Sequence, residues 1–172
     1  MGPETYEVKD TPQRVKVIKD RLQVDSRFTV LTAKVYPATW IARLHPYHDY
    51  IRHTAAAVGA AEAFYPDLFP GEGARLPRRS DNPLQGGLWC TDAVTPIMQR
   101  TYEVAKASAD TALTGADLLR DGGERHVYAL CRPSGHHAGP RVFGGYCYFN
   151  NVATAAEYLL PAGRVAILDL DY

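Results

Sequence analysis

The chain lacks most features that would tie it to a membrane, a nucleic acid or an oxidising compartment. Its three cysteines, Cys90, Cys131 and Cys147, are odd in number, widely separated and form no C-x-x-C pair. That argues against a disulfide framework and against a cysteine zinc cage, and leaves reduced, mostly buried thiols as the expectation. An excess of charge is missing too: 19 Lys and Arg cancel 19 Asp and Glu, so no global field draws the protein to nucleic acid or to anionic lipid. The longest apolar runs, such as Val165-Ala166-Ile167-Leu168, fall far short of the roughly 20 residues a spanning helix needs, and Met1-Gly2-Pro3-Glu4 does not open like a secretory signal. A cytoplasmic protein with no membrane and no nucleic-acid partner is expected. Internal repeats and low-complexity segments are also missing.

What is present suffices for a real core. With 46% hydrophobic residues in 172, the chain fits one domain, 1–172, better than two. Pro12 follows Asp10-Thr11, and Val15, Val17, Ile18 and Leu22 repeat at helical spacing, which predicts a capped surface helix packed on one face. A second helical stretch opens at Pro37-Ala38-Thr39-Trp40-Ile41. His45 to Ile51 leads into an alanine-rich helix through about Ala63. From Tyr65 to Gly87 the composition shifts to Pro, Gly, Arg and Asp, predicting a long loop over 65–87. A long helix is expected from about Thr95 to Leu119, its small residues suited to close packing against a sheet. His126 to Cys131 and Val165 to Leu170 read as buried strands flanking a Gly-rich loop and a helix from Asn151 to Leu160. That is a βαβ unit, with parallel strands and a right-handed crossover. Polar groups at the carboxyl ends of such strands are where α/β folds collect their chemistry.

Two polar clusters sit at those ends. The first is Arg132-Pro133-Ser134-Gly135-His136-His137-Ala138-Gly139-Pro140, followed by Phe143-Gly144-Gly145-Tyr146-Cys147-Tyr148-Phe149-Asn150-Asn151. Two adjacent imidazoles can hold one base and one acid at a reacting centre near neutral pH. Adjacent side chains in a loop rarely converge on one ion, so a catalytic pair, a ligand pair and a purely structural pair all stay open. The second cluster is Asp169 and Asp171, two residues apart at a strand end, so both carboxylates face the same side. Two acids closing an apolar run are costly unless a cation or hydrogen bonds compensate; a capping Asp beside a solvated one is the bland alternative. Carboxylate oxygen suits zinc, calcium, magnesium or manganese, and an imidazole in the site would tilt the choice toward zinc or iron. Rival chemistries fit less well. Ser134 has no G-x-S-x-G elbow around it, Cys147 lies between Tyr146 and Tyr148 in an apolar wall, and Gly144-Gly145 has neither nucleotide-loop spacing.

Taken together, the run Arg132 to Ala138, the run Gly144 to Asn151 and the run Val165 to Tyr172 resemble the histone deacetylase family. The resemblance extends to weaker blocks at Pro12-Gln13-Arg14-Val15, Leu44-His45 with Tyr50-Ile51, and Cys90-Thr91-Asp92. Cys131 to Gly139 with Phe143 to Tyr146 is most similar to the acetylpolyamine amidohydrolase branch. The resemblance implies an α/β fold of the three-layer, parallel-sheet arginase/deacetylase type, incomplete at the C-terminus. It implies a zinc-dependent deacetylase acting on an acetylated amine or acetyl-lysine, with Zn2+ as cofactor, Fe2+ or Co2+ as substitutes and K+ as a structural ion. Asp171 would be the metal ligand and His137 the general base and later acid. His136 would assist electrostatically, held by Asp169. The backbone carbonyl of Gly145 would accept the substrate amide N–H, and Tyr146 would wall the tunnel. Asp67, Glu72 and Asp81 in the long loop could select a cationic amine, a solvated loop being the simpler reading.

Family members continue past this point with a His-His-Gly run supplying the next ligand, then another Asp and a Tyr. The resemblance thus makes this chain roughly half a catalytic domain, its N-terminal portion, without the family's opening strand. A catalytic zinc usually takes about three protein ligands, and only Asp171 carries over. The isolated chain is therefore expected neither to bind zinc tightly nor to hydrolyse amides. Partners left open are a homodimer and a complementing C-terminal half. A catalytically inactive remnant or interaction module is the alternative function, and a cysteine or serine amidase is a third.

Overall fold

The computed structural model describes residues 11–66, 81–82 and 85–171. The chain divides into two compact units, Met1–Thr32 and Ala33–Tyr172. In the first, helix α1 spans Pro12–Gln23 with Pro12 in its first turn, where the ring's missing N–H costs no helix hydrogen bond. No α1 residue is buried, and Val15 and Leu22 are only half covered. The expected packed face is therefore not closed within this unit.

The second unit carries α2 (Thr39–Leu44), α3 (His48–Ala57), β1 (Ala63–Phe64), β2 (Ile97–Met98), α4 (Thr101–Arg120) and α5 (Asn151–Leu159), with a 3-10 turn over Leu160–Ala162. Helix α3 stops at Ala57, short of the expected Ala63. Val58 turns to an extended conformation there, and the next residues lead into β1, which pairs antiparallel with β2. Helix α4 starts six residues later than the periodicity suggests. The Asp92 carboxylate takes the N–H groups of Val94 and Thr95, a local side-chain turn that competes with helix formation. The segment behind that turn enters β2 instead.

The core is aromatic. Tyr47, Tyr50, Ile51, Ile97, Phe143 and Phe149 are all buried and belong to one cluster that α4 closes with Ala105 and Ala109. Tyr47 and Phe143 lie 5.6 Å apart between ring centroids, Tyr50 and Trp89 6.2 Å, spacings at which offset rings attract. Further along α4, Leu113 and Ala116 pack with Tyr158 of α5. Asp117 ties this end together, accepting from Lys34, Tyr36, Tyr158 and Arg120. Lys34 and then Tyr158 hold its carboxyl down at about 2.

Helix α4 does pack on one of the expected strands: a Cβ at Gly115 would meet Val127 Cγ1 at 3.1 Å, so glycine permits the close approach. Yet neither 126–131 nor 165–170 forms a strand ladder among the described residues, whose named sheet is the β1-β2 pair. The expected parallel pairing of these two segments is thus not formed among the described residues. Leu168 and Leu170 are 83% and 87% exposed. The physical reason is that a parallel strand makes no hydrogen bonds within itself and becomes a strand only when a neighbour lies alongside. No described helix is long and apolar enough to cross a membrane.

Candidate functional site

The expected site residues come together at one place, though on two very different supports. Asn150 is the anchor of the first. Its side chain caps α5 by accepting from Ala153 N at 2.9 Å, the usual role of Asn at a helix start. The same side chain donates to Ala138 O at 3.1 Å, just past the histidines. Its backbone N–H donates to His45 Nε2 at 2.9 Å. His45, 2% exposed, meets Gly139 O with Nδ1 at 3.0 Å. A donor N–H at one ring nitrogen and an accepting carbonyl at the other fix a neutral imidazole with its proton on Nδ1. Burial pushes this histidine's pKa down, in keeping with the neutral form. Asn151 Nδ2 donates to Ser108 Oγ and to Pro133 O, each at 3.0 Å, and bonds Ser134 O as well. The Arg132–Pro133 peptide bond is cis. The His136-His137 loop is thus bolted at both ends to α4, α5 and the α2–α3 junction.

His136 and His137 lie with ring centroids 4.0 Å apart and ring planes tilted by 45°. His136 Nδ1 lies 3.0 Å from Asp169 Oδ2, and its Nε2 lies 3.8 Å from Asp171 Oδ2. The backbone N–H of Asp171 and then His136 hold the Asp169 carboxyl below its ordinary range. Gly145, at φ +57°, sits against His137: a Cβ there would lie 2.5 Å from His137 Cδ2. A side chain at position 145 and the His137 ring would occupy the same space. Gly145 and Tyr146 are the central residues of a tight turn closed by the Cys147 N–H donating to Gly144 O at 2.9 Å.

The roles of Asp92 and Thr95 were not visible in the sequence. Asp92 Oδ2 accepts from Gly145 N at 2.5 Å and from Thr95 Oγ1 at 2.9 Å. Burial pushes the Asp92 carboxyl up, but these hydrogen bonds outweigh it and keep it below the ordinary value. The block Cys90-Thr91-Asp92 had a resemblance as its only signal. His45 was likewise part of a weak block, with nothing to announce contacts 94 and 105 residues away.

The rival nucleophile is built into the wall. Cys147 is fully buried, and its sulfur accepts from Gly135 N at 3.1 Å. Cys90 and Cys147 are buried and Cys131 half-buried, all three as free thiols; burial raises Cys90 to about 11. Asp171 contrasts with all of this, its side chain 81% exposed. Among the described residues no group of three or more His, Cys, Asp or Glu side chains converges as a metal site. By themselves the described residues do not fit a zinc ion, which usually takes about three protein ligands. Most of the long loop, including Asp67 and Glu72, lies outside the described residues; Asp81 is described and exposed.

Comparison with known proteins places this geometry in context. Residues 8–172 match the histone deacetylase domain family. Over 173 aligned residues the chain is 36% identical to acetylpolyamine amidohydrolase 1 of Pseudomonas aeruginosa, covering 95% of this chain and 49% of that protein. It is 48% identical over 90 residues to the acetylpolyamine amidohydrolase of Mycoplana ramosa, 51% of this chain and 26% of that one. The crystal structure of an acetylpolyamine aminohydrolase from Burkholderia pseudomallei superposes with a TM-score of 0.76 at 28% identity, over 90% of this chain and 46% of its own. The chain spans about half the length of the curated relatives it matches over nearly all of its own residues.

Proposed function

The chain belongs to the histone deacetylase domain family, and from that premise we propose that it carries the proton-transfer part of a zinc-dependent amide hydrolase removing acetyl groups from acetylated amines. The observation that carries the reading is the close His136-His137 pair, with Asp169 against the first ring and Gly145 against the second. Asp169, kept ionised, accepts the Nδ1 proton of His136 and leaves Nε2 of that ring as an acceptor or, once protonated, a second donor. Protonated His136 puts positive charge beside developing negative charge. His137, exposed on the open side of the pair, takes a proton from water and returns it to the leaving amine. The Gly145 carbonyl accepts the amide N–H of the substrate, and the Tyr146 ring lines its path.

Asp171 would serve as one ligand of the metal, the others being supplied by the rest of a complete domain. Such a metal would polarise the acetamide carbonyl and lower the pKa of water toward neutrality. In that complete domain, segments 126–131 and 165–170 take the places of parallel strands in a three-layer fold, and 1–172 forms a single portion of it. The acetylpolyamine branch is favoured for the substrate by its similarity over 95% of the chain, which points to a cationic acetylated amine.

The test is hydrolysis of an acetylated diamine by the chain alone and with a polypeptide supplying the second half of the domain, with and without chelator. We expect no turnover alone, and turnover on complementation that chelator abolishes. Turnover by the chain alone, or turnover indifferent to chelator, contradicts the metal assignment. Stable association of the halves without turnover supports a non-catalytic interaction module instead.

A further inference from the structure

The turn between Gly144 and Cys147 holds two consecutive residues at positive φ, Gly145 at +57° and Tyr146 at +60°. Glycine adopts this region freely. For tyrosine it costs on the order of 1 kcal/mol or more, so neighbours must hold it there. Both central N–H groups of the turn are caught by one short loop. Gly145 N donates to Asp92 Oδ2 at 2.5 Å, and Tyr146 N donates to Thr95 Oγ1 at 3.0 Å. The Thr95 hydroxyl in turn donates a hydrogen bond to that same carboxylate oxygen at 2.9 Å. Asp92 Oδ1 closes the loop on itself through the N–H groups of Val94 and Thr95, at 2.8 and 2.7 Å. Thr95 is fully buried.

Peptide planarity turns this into a directional device. In a trans peptide the carbonyl points opposite to the following N–H. Holding Tyr146 N–H on Thr95 therefore aims the Gly145 carbonyl away from Thr95. Holding Gly145 N–H on Asp92 sets the plane before it, and with it the face of Gly145 that meets the His137 ring.

We propose that Asp92 and Thr95 are positioning residues of the site, a clamp that aims the Gly145 carbonyl at the substrate amide N–H and seats His137 beside it. The role rests on the amide-hydrolase reading above, since it acts through Gly145 and Tyr146 rather than on substrate. A misplacement of about 1 Å at such a contact can cost about 100-fold in rate.

Thr95→Val removes the hydroxyl at nearly constant volume, and Thr95→Ser keeps it. Amide hydrogen exchange followed by NMR on the chain should show Tyr146 N–H protected in the wild type and in Thr95→Ser, and faster by about 10-fold or more in Thr95→Val. In the complemented enzyme, Thr95→Val should lower kcat by about 10-fold to 100-fold with KM within about threefold, while Thr95→Ser stays near wild type. Asp92→Asn, which turns one acceptor into a donor, gives the same readouts where Thr95→Val does not fold. Unchanged Tyr146 exchange or unchanged kcat in Thr95→Val overturns the clamp, as does protection lost equally across α4 and α5. A wild-type enzyme that hydrolyses no acetylated amine overturns the amide-hydrolase reading instead, and Tyr146 exchange then decides the clamp's geometry by itself.

Discussion

The run 143–151 and the run 164–171 both carry candidate site residues, and they could hardly be held more differently. In the first, Phe143, Cys147, Tyr148, Phe149 and Asn151 are buried, and backbone and side-chain hydrogen bonds reach back to Trp89, Asp92, Thr95, His45 and Ala138. In the second, every described residue is exposed, and Asp169 and Asp171 contact His136 and each other. One site thus rests on a finished support and an unfinished one. The lesson is that a motif records which residues react, while packing partners decide whether they are already in place.

The largest effect expected on this comparison is catalytic. His137→Ala in the complemented enzyme should lower kcat by about 100-fold to 10,000-fold in steady-state assays, the range of a general acid–base group. Its stability in the chain alone should move by no more than about 0.5 kcal/mol, because the side chain is exposed. Phe143→Ala strikes the finished support, and should cost about 3–5 kcal/mol by urea denaturation, since its ring is buried among Tyr47, Tyr50 and Tyr148.

Asp117→Asn should cost about 1–3 kcal/mol near neutral pH by the same measurement, since four donors converge on that carboxylate. Its folded pKa of about 2 lies below the unfolded value near 3.8, so its contribution is complete above that unfolded value and is lost as pH falls toward 2. The variant should therefore flatten the acid limb of the stability curve. His45, whose pKa burial lowers, acts in the same direction at higher pH, its stabilisation being lost as acid forces the ring to charge. The smallest effect belongs to the unfinished support. Leu168→Ser should change the stability of the chain by less than about 0.5 kcal/mol, because its side chain is exposed, yet weaken complementation if, as proposed, a completed sheet covers it.

Much of this was legible in the residues. Pro12 and the apolar run from Asn151 mark α1 and α5 within a few positions, and the spacing of Ala105, Ala109, Ala112 and Ala116 marks the body and end of α4, because helix signals are local. The end of α3 and the start of α4 were misplaced where local polar competition won, at Val58-Gly59 and at Asp92-Val94-Thr95. The strands failed for the opposite reason: 126–131 and 165–170 have the composition of strands, but a ladder needs a neighbour that periodicity cannot supply. At the site, the adjacent histidines stood out by pattern, and Gly145 and Tyr146 through the family resemblance. Asp92, Thr95 and His45 did not, since their partners lie between 50 and 105 residues away in the chain.

The most direct test of the two-support account is hydrogen exchange by mass spectrometry on peptides covering 143–151 and 164–171, in the chain alone and after the second half of the domain is added. The account predicts that 143–151 is protected from the start, that 164–171 exchanges freely alone, and that it becomes protected on complementation as amide hydrolysis appears. Equal protection of both segments in the chain alone, or a 164–171 segment that stays unprotected while hydrolysis proceeds, would contradict it.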